Sequence, residues 1–282
     1  LTLVFGIMGL INLAHGSLYM VGAYVCATVT AASGNFLIGV VGGMLGAAAA
    51  GLALEALALR RLYARDHLDQ VLATFGVILF ANELVKVVWG PQALFLSVPK
   101  MLTGTIELLP GLPYPTYRLV IIVIGVAVAL GLRHLIVHTR LGMLIRAGAS
   151  NREMVAALGV DIDRLFTAVF VLGAMLAGLA GAIAGPLLAI EVGMGENILI
   201  LTFVVIVVGG IGSIRGALIA AILVGVIDTY ARAFLPKLLR SLLEPSTADA
   251  LGAGLAGMAI YIAMALVLVF RPRGLFQAYG SS

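Results

Sequence analysis

Charged side chains are scarce in this sequence: they make up 11% of its 282 residues, while 62% of the residues are hydrophobic. A soluble domain is about a quarter charged, so this chain has too few charges to cover a globular surface that faces water. Its mean hydropathy of +1.16 excludes an ordinary soluble protein. Lipid is the solvent in which such a composition is stable.

Cysteine is nearly absent too, because Cys26 is the only one and it lies inside an apolar run. A disulfide framework within the chain is therefore excluded. The formal net charge is +4, but the basic residues are scattered singly. They form neither a basic stripe nor the aromatic-basic pattern of a nucleic-acid binder, so we expect no nucleic-acid partner.

Long apolar runs fill most of the chain. A membrane helix needs about 20 apolar residues, whereas the strands of a membrane barrel are alternating segments of about 10 residues. The runs here are continuous and rich in Ala, Leu, Gly and Val, which predicts helices. They cover approximately residues 1–10, 16–32, 36–58, 70–89, 118–137, 165–185, 197–213, 216–235 and 250–270.

We predict an all-α integral membrane protein with one transmembrane domain over residues 1–282 and about eight transmembrane helices. Residues 11–15 alone separate the first two runs, which predicts a broken helix near 11–16. The chain begins at Leu1, directly in apolar sequence and without an initiator Met. We therefore expect the first helix to be truncated.

Basic residues are divided unequally between alternate loops, and Lys and Arg in short loops prefer the cytoplasm. One set of loops carries eleven basic residues and the other carries six. The richer set consists of Arg60, Arg61, Arg65, Arg133, Arg140, Arg146, Arg152, Arg164, Arg215, Arg271 and Arg273. We expect these loops and the C-terminus to be cytoplasmic in a multi-pass protein.

Two longer loops interrupt the apolar pattern. Residues 90–116 form an outer loop that is too rich in proline for a continuous helix. Residues 138–164 form the longest cytoplasmic segment, in which Ser150 as N-cap and Glu153 at the capping-box position predict a short helix. Gly159 is expected to end that helix. The pattern alone leaves open whether this helix docks on a partner or is a solvated turn.

The segment from Arg146 to Gly159 resembles the cytoplasmic coupling loop of ABC importer permeases, in which a Glu-Ala-Ala-like stretch precedes a glycine. More narrowly, nearly the whole chain resembles the permeases of the branched-chain amino-acid importer family, the Liv type. The further motifs that carry this resemblance are Gly9-Leu-Ile-Asn12-Leu-Ala-His15-Gly16-Ser-Leu-Tyr19-Met, Gly209-Gly210-Ile-Gly212-Ser213-Ile-Arg-Gly216 and Arg271-Pro272-Arg-Gly274-Leu-Phe276.

The resemblance implies a permease subunit that pairs with a second, homologous permease in a bacterial-type inner membrane. It also implies two cytoplasmic ABC ATPase subunits and a periplasmic binding protein that delivers a branched-chain or other aliphatic amino acid. Related permeases carry urea or short amides, which is an alternative. The residues implied in docking to the ATPase are Arg146, Asn151, Glu153, Ala156, Ala157 and Gly159.

Nucleotide chemistry is not expected in this chain, because it has no Gly-x-x-x-x-Gly-Lys-Ser/Thr phosphate loop. We therefore expect no cofactor here and ATP with Mg²⁺ in the partner ATPases. No constellation of catalytic or metal-ligating side chains emerges either, so we do not expect an enzyme. His134 and His138, four residues apart at a helix end, are better suited to capping carbonyls than to binding a metal.

Asn12 and His15 are polar residues within an apolar stretch, where polar groups are costly unless they have partners. Gly9 and Gly16 flank them, so the backbone is expected to break here and to expose main-chain groups to a cavity. One interpretation places Asn12, His15 and Gly16 on the translocation path. The other is a helix break in which these side chains satisfy the freed backbone groups.

Glycines suggest close helix packing in two places. Gly209, Gly210, Gly212 and Gly216 predict a tight turn between two spans rather than a phosphate site, since no lysine accompanies them. Gly173, Ala177, Gly181 and Gly185 are spaced by four, so they line one helix face and favour close approach of a neighbouring helix.

The charged residues near the spans support a rival from another class, an ion-coupled secondary transporter with Glu83 or Asp228 as its coupling site. Against this, Glu83 can pair with Lys86 three residues on, and Asp228 is expected to form a structural pair. Glu191 and Glu196 fall in a short connection, where an outer vestibule, a contact for the binding protein or a plain solvated loop fits, and the solvated loop is favoured.

Overall fold

The computed structural model describes residues 1–8, 12–63, 65–109, 111–241 and 243–276. Its helices are α1 (Thr2–Met8), α2 (His15–Ser33), α3 (Phe36–Leu54), α4 (Arg60–Leu62), α5 (His67–Trp89), α6 (Thr116–His138), α7 (Arg140–Ser150), α8 (Arg152–Ala157), α9 (Ile162–Ala184), α10 (Met194–Gly209), α11 (Ile214–Leu239) and α12 (Pro245–Phe270). A π-helical turn, Glu55–Leu59, joins α3 to α4.

Within the part of the chain that the structure describes, seven helical segments are long and apolar enough to cross a membrane, and α10 is a shorter apolar helix. The predicted class, an all-α membrane protein of about eight helices, is confirmed. Residues 12–14 are not helical and α2 begins at His15, which agrees with the predicted break. Gly9 and the rest of the break, up to Ile11, lie outside the described residues.

The proline-rich loop contains a feature that was not predicted from the sequence, an antiparallel hairpin of β1 (Thr105–Leu109) and β2 (Leu112–Pro115). Thr105 pairs with Pro115 in its register. Proline is tolerated in β2 because each strand of a two-stranded ribbon is an edge strand. The hairpin is small, and the class remains helical.

The segment 138–164 holds two helices, of which only the second was predicted. The N-cap prediction was wrong: Ser150 is the last residue of α7, and Asn151 caps α8 by accepting a hydrogen bond from the Met154 amide at 2.9 Å. Asn151 is extended, as an N-cap requires. Gly159 has φ +85° and lies just after the helix, as expected for a left-handed C-terminal glycine.

The described residues fold as two compact units, one within residues 3–199 and one within residues 200–276, so that α10 begins in the first and ends in the second. The centre of the first unit is the group α2, α3 and α9. A Cβ atom added to Gly43 would lie 2.5 Å from the Gly22 carbonyl oxygen, and one added to Gly178 would lie 2.5 Å from the Ala47 methyl. Small residues therefore allow these helix backbones to touch.

The second unit is built on the hairpin of α11 and α12. Its core contains Val204, Val208, Ala220, Val224 and Ile260. The tail after α12 returns to the end of α10, where the Leu275 amide donates to the Val208 carbonyl at 2.9 Å and the Phe276 amide donates to the Gly209 carbonyl at 3.1 Å. These bonds satisfy carbonyls that the end of a helix leaves free.

Candidate functional site

Buried polar side chains gather where α2 begins. Asn12 is completely buried and His15 is 7% exposed. Among the described residues, neither polar atom of the Asn12 amide has a hydrogen-bond partner, nor does the His15 Nδ1. The His15 ring meets the Phe170 ring of α9 edge-on at 6.3 Å, and its Nε2 lies 3.3 Å from the Leu1 nitrogen. Polar groups left unpaired in such surroundings are costly.

A second helix, α10, begins at the same place. Gly16 in the first turn of α2 and Gly195 in the first turn of α10 are in backbone contact, and a Cβ atom on either would clash with the carbonyl of the other. The amino-terminal ends of two helices therefore adjoin. The start of a helix carries a partial positive charge, and transporters use such interrupted helices to meet anionic groups of substrates.

Asn82 and Glu196 extend this polar region to α5. The Asn82 amide nitrogen donates to a Glu196 carboxylate oxygen at 2.6 Å. Glu196 was expected in a connecting loop, but it lies in the first turn of α10 and is half-buried, while Glu191 stays exposed in the connection. Asn82 was missed, although a lone amide inside an apolar span is a signal that could have identified it.

The predicted coupling residues divide into two groups. Asn151, Glu153, Ala156, Ala157 and Gly159 are all exposed in or beside α8, whose one buried residue is Val155. Arg146 is separate: it lies on α7, is half-buried, and donates to the Ile136 carbonyl of α6. The structure thus presents residues 151–159 as an accessible surface and gives Arg146 a role in holding α7 against α6.

Glu55 is a buried acid that was missed in the sequence. It is completely buried in the π-helical turn, within an apolar span of 27 residues, Phe36–Leu62. Its carboxylate accepts hydrogen bonds from Arg60 at 3.4 Å and from the Tyr63 hydroxyl at 3.5 Å. An ionisable residue at membrane depth marks a functional position by default, and this rule alone would have identified Glu55 from the sequence.

The glycine-rich segment forms the turn between α10 and α11. Gly210 and Gly212 have φ of +98° and +81°, which favours glycine. Ser213 caps α11 by accepting from the Gly216 amide at 3.0 Å. A Cβ atom on Gly209 would lie 2.5 Å from the Gly216 carbonyl oxygen, so the two helices meet at this turn.

The charged residues proposed for ion coupling are paired within their own helices. Glu83 accepts from Lys86 at 2.6 Å, and Asp228 accepts from Arg232 at 2.9 Å, as expected for a structural pair. The rings of His134 and His138 stack at 5.1 Å. Within the part of the chain that the structure describes, no three side chains of the metal-binding types come together.

Apolar spans that surround buried polar groups at interrupted helices are typical of multi-pass membrane transport proteins. The chain belongs to the branched-chain amino acid transport system permease family, whose family model, described as "Branched-chain amino acid transport system / permease component", matches residues 1–264.

Two curated relatives show the same likeness. The chain is 31% identical over 256 residues to the high-affinity branched-chain amino acid transport system permease protein LivH of Escherichia coli K12, an alignment that covers 83% of this chain and 80% of the relative. It is 28% identical over 288 residues to the corresponding permease protein BraD of Pseudomonas aeruginosa, covering 97% and 88%. No solved structure matches the chain.

Proposed function

We propose that this chain is the membrane-spanning subunit of an ATP-driven importer that carries branched-chain or other aliphatic amino acids across a bacterial-type inner membrane. A periplasmic binding protein delivers the substrate, a second homologous permease completes the path, and cytoplasmic ATPase subunits bind ATP and Mg²⁺. The proposal is supported by the transport function in the names of LivH and BraD.

The observation that carries a transport path is the meeting of α2 and α10 beside Asn12 and His15. An amino acid with an aliphatic side chain needs polar groups for its two charged ends and apolar surroundings for the rest. The partial positive charge of the helix starts at Gly16 and Gly195 favours a carboxylate. The Asn12 amide, which has no partner among the described residues, offers both a donor and an acceptor.

Coupling to the ATPases is proposed for α8 and its flanks. The excess of basic residues in these loops supports a cytoplasmic position for α8 and for the C-terminus. Asn151, Glu153, Ala156, Ala157 and Gly159 form the docking surface, since they are exposed on a short helix capped at both ends. Arg146 supports this surface from α7.

The test is amino-acid uptake by the assembled importer in proteoliposomes, with the change His15→Ala. We expect uptake to fall by about ten-fold or more, because the change removes a buried polar group from the path, while basal ATP hydrolysis is retained. The matched control is His134→Ala, which alters an exposed histidine of α6 and is expected to leave uptake unchanged.

Two results would contradict the proposal. Normal uptake by the His15→Ala importer would remove His15 from the path. Accumulation of amino acid by the purified chain alone, driven by a proton gradient without ATPase subunits, would instead establish the secondary transporter.

A further inference from the structure

The π-helical turn Glu55–Leu59 interrupts the apolar span Phe36–Leu62 shortly before that span ends. Such turns are rare and occur frequently at functional sites. Here the turn carries Glu55, whose carboxylate is completely buried. A carboxylate in this position is stable only with partners that compensate for the loss of water. The contacts of Glu55 therefore show which parts of the protein the turn connects.

Two donors hold the carboxylate, and one of them reaches α9. Arg60 contacts Glu55 at 3.4 Å and also donates to the Thr167 hydroxyl at 3.2 Å. Tyr63 donates to the other carboxylate oxygen at 3.5 Å. Burial, and after it the nearby Glu55 carboxylate, raise the pKa of the Tyr63 phenol above its ordinary value, so the hydroxyl stays protonated and remains a donor.

The same tyrosine connects the turn to α8. The Tyr63 ring packs edge-on against the Phe166 ring at 6.0 Å, with an angle of 86° between the ring planes. The guanidinium carbon of Arg152, the first residue of α8, lies 4.8 Å from the centre of that same ring. A cation above an aromatic face is attracted to it. Phe166 is therefore shared by α8 and by the residue that binds Glu55.

Phe170, one helical turn further along α9, extends these contacts to the start of α2. It is completely buried and meets the His15 ring at 6.3 Å. Phe166, Phe170 and Leu59 belong to one hydrophobic cluster, and Leu59 is the last residue of the π-helical turn. Phe166 and Phe170 thus connect Arg152 to His15 through one hydrophobic cluster.

We propose that Glu55 is a positioning residue that couples α8 to the start of α2. By holding Arg60 and Tyr63, it fixes the π-helical turn against Phe166, so a movement of α8 reaches Phe170 and His15. This inference rests on the proposed function, since it assumes that α8 docks on an ATPase.

The test uses the complete importer in proteoliposomes, with binding protein present, and measures amino-acid uptake and ATP hydrolysis together. Glu55→Gln keeps the shape of the side chain but removes its charge. We expect the uptake per ATP hydrolysed to fall by about ten-fold, as for the loss of charged hydrogen bonds, with basal hydrolysis retained. The matched control is Glu83→Gln, an exposed acid paired with Lys86, which should leave the ratio unchanged.

A second variant keeps the test decisive if Glu55→Gln does not assemble. Tyr63→Phe removes only the hydroxyl and retains the ring on Phe166, and we expect a loss of about three-fold in the same ratio. Combining Tyr63→Phe with Arg152→Ala should give a non-additive effect, whereas Tyr63→Phe with Asp228→Asn should be additive.

The inference is overturned if the assembled Glu55→Gln importer, or the Tyr63→Phe importer where the first does not assemble, shows the wild-type ratio. It is also overturned if Tyr63→Phe and Arg152→Ala act additively. Failure of the proposed function would look different, because the unaltered importer would then show no ATP-dependent uptake.

Discussion

Glycine has opposite surroundings in two regions of this molecule. In the group α2, α3 and α9, a Cβ atom on Gly43 or Gly178 would lie well inside the contact distance of a neighbouring helix. In α6, α11 and α12, a Cβ atom on Gly125, Gly225 or Gly257 would meet none of the described residues within 4 Å, although Gly216 in α11 and Gly252 in α12 are closely packed. Glycine is therefore a packing requirement where helices touch and has no packing role on the outward faces of α6, α11 and α12.

Burial follows the same division. Half of the most apolar stretch of α2 and 44% of that of α9 are buried, against 6% in α6 and 11% in both α11 and α12. Large apolar side chains such as Val123, Phe234 and Val269 stay exposed on these last three helices, where lipid or another membrane subunit can cover them. The comparison shows that high hydropathy alone does not identify the core of a membrane protein.

The largest effect is expected for Gly178→Val, which inserts a branched side chain between α9 and α3. Overpacking of this kind destabilises a folded protein by about 3 kcal/mol. We expect a lower midpoint of thermal unfolding for the purified permease in detergent micelles. Gly257→Val in α12 is the matched control and should leave the midpoint within error; an equal loss from both variants would break the distinction between the two regions.

An intermediate effect is expected for Gly159→Ala, which tests a third kind of glycine. Gly159 has open space around it but a φ of +85°, a conformation that costs a non-glycine residue about 1–2 kcal/mol. We expect the end of α8 to shift, which reduces ATPase binding while the unfolding midpoint stays nearly unchanged. Binding affinity between the ATPase and the permease measures this, with Gly76→Ala as the control. Unaltered affinity would show that the left-handed turn is not needed for docking.

The smallest effect is expected for Asp228→Asn, which breaks an ion pair in the exposed region. The Asp228–Arg232 pair lies within one helix, and pairs of this kind contribute about 0.5 kcal/mol. We expect a small change in the unfolding midpoint and normal uptake. Loss of uptake by the Asp228→Asn variant, with the permease still folded, would assign Asp228 a role in transport. It would support the alternative function, an ion-coupled secondary transporter.

Local features of the fold were predictable from the sequence. The apolar runs matched the helices to within a few residues, and Gly159 ends α8 as its position suggested. The errors came where two local signals compete. Ser150 and Asn151 are both residue types that cap helices well. Ser150 is the last residue of α7, so the N-cap of α8 is Asn151. The hairpin at 105–115 was hidden because proline usually argues against strands.

The candidate site was only half predictable. Asn12, His15 and Gly16 stood out as polar or flexible residues in an apolar run, but nothing near them in the chain indicated that α10 begins beside them. Asn82 and Glu55 were missed, and Glu196 was placed in a loop. Nothing in the sequence indicated that Asn82 contacts Glu196 of α10, or that Arg60, which holds Glu55, also reaches Thr167 of α9.

The sequence by itself determined that this protein is a helical membrane permease, since the length and hydropathy of each span are local properties that any stretch of about 20 residues must satisfy. It also determined the family, through motifs that each occupy a few neighbouring residues. Only the tertiary structure decided which glycines pack, where two helix starts meet, and that Arg60, the partner of Glu55, reaches α9. All three features depend on contacts between residues that are distant in the chain. The bilayer fixes the length and hydropathy of each helix, but it does not fix which helices touch.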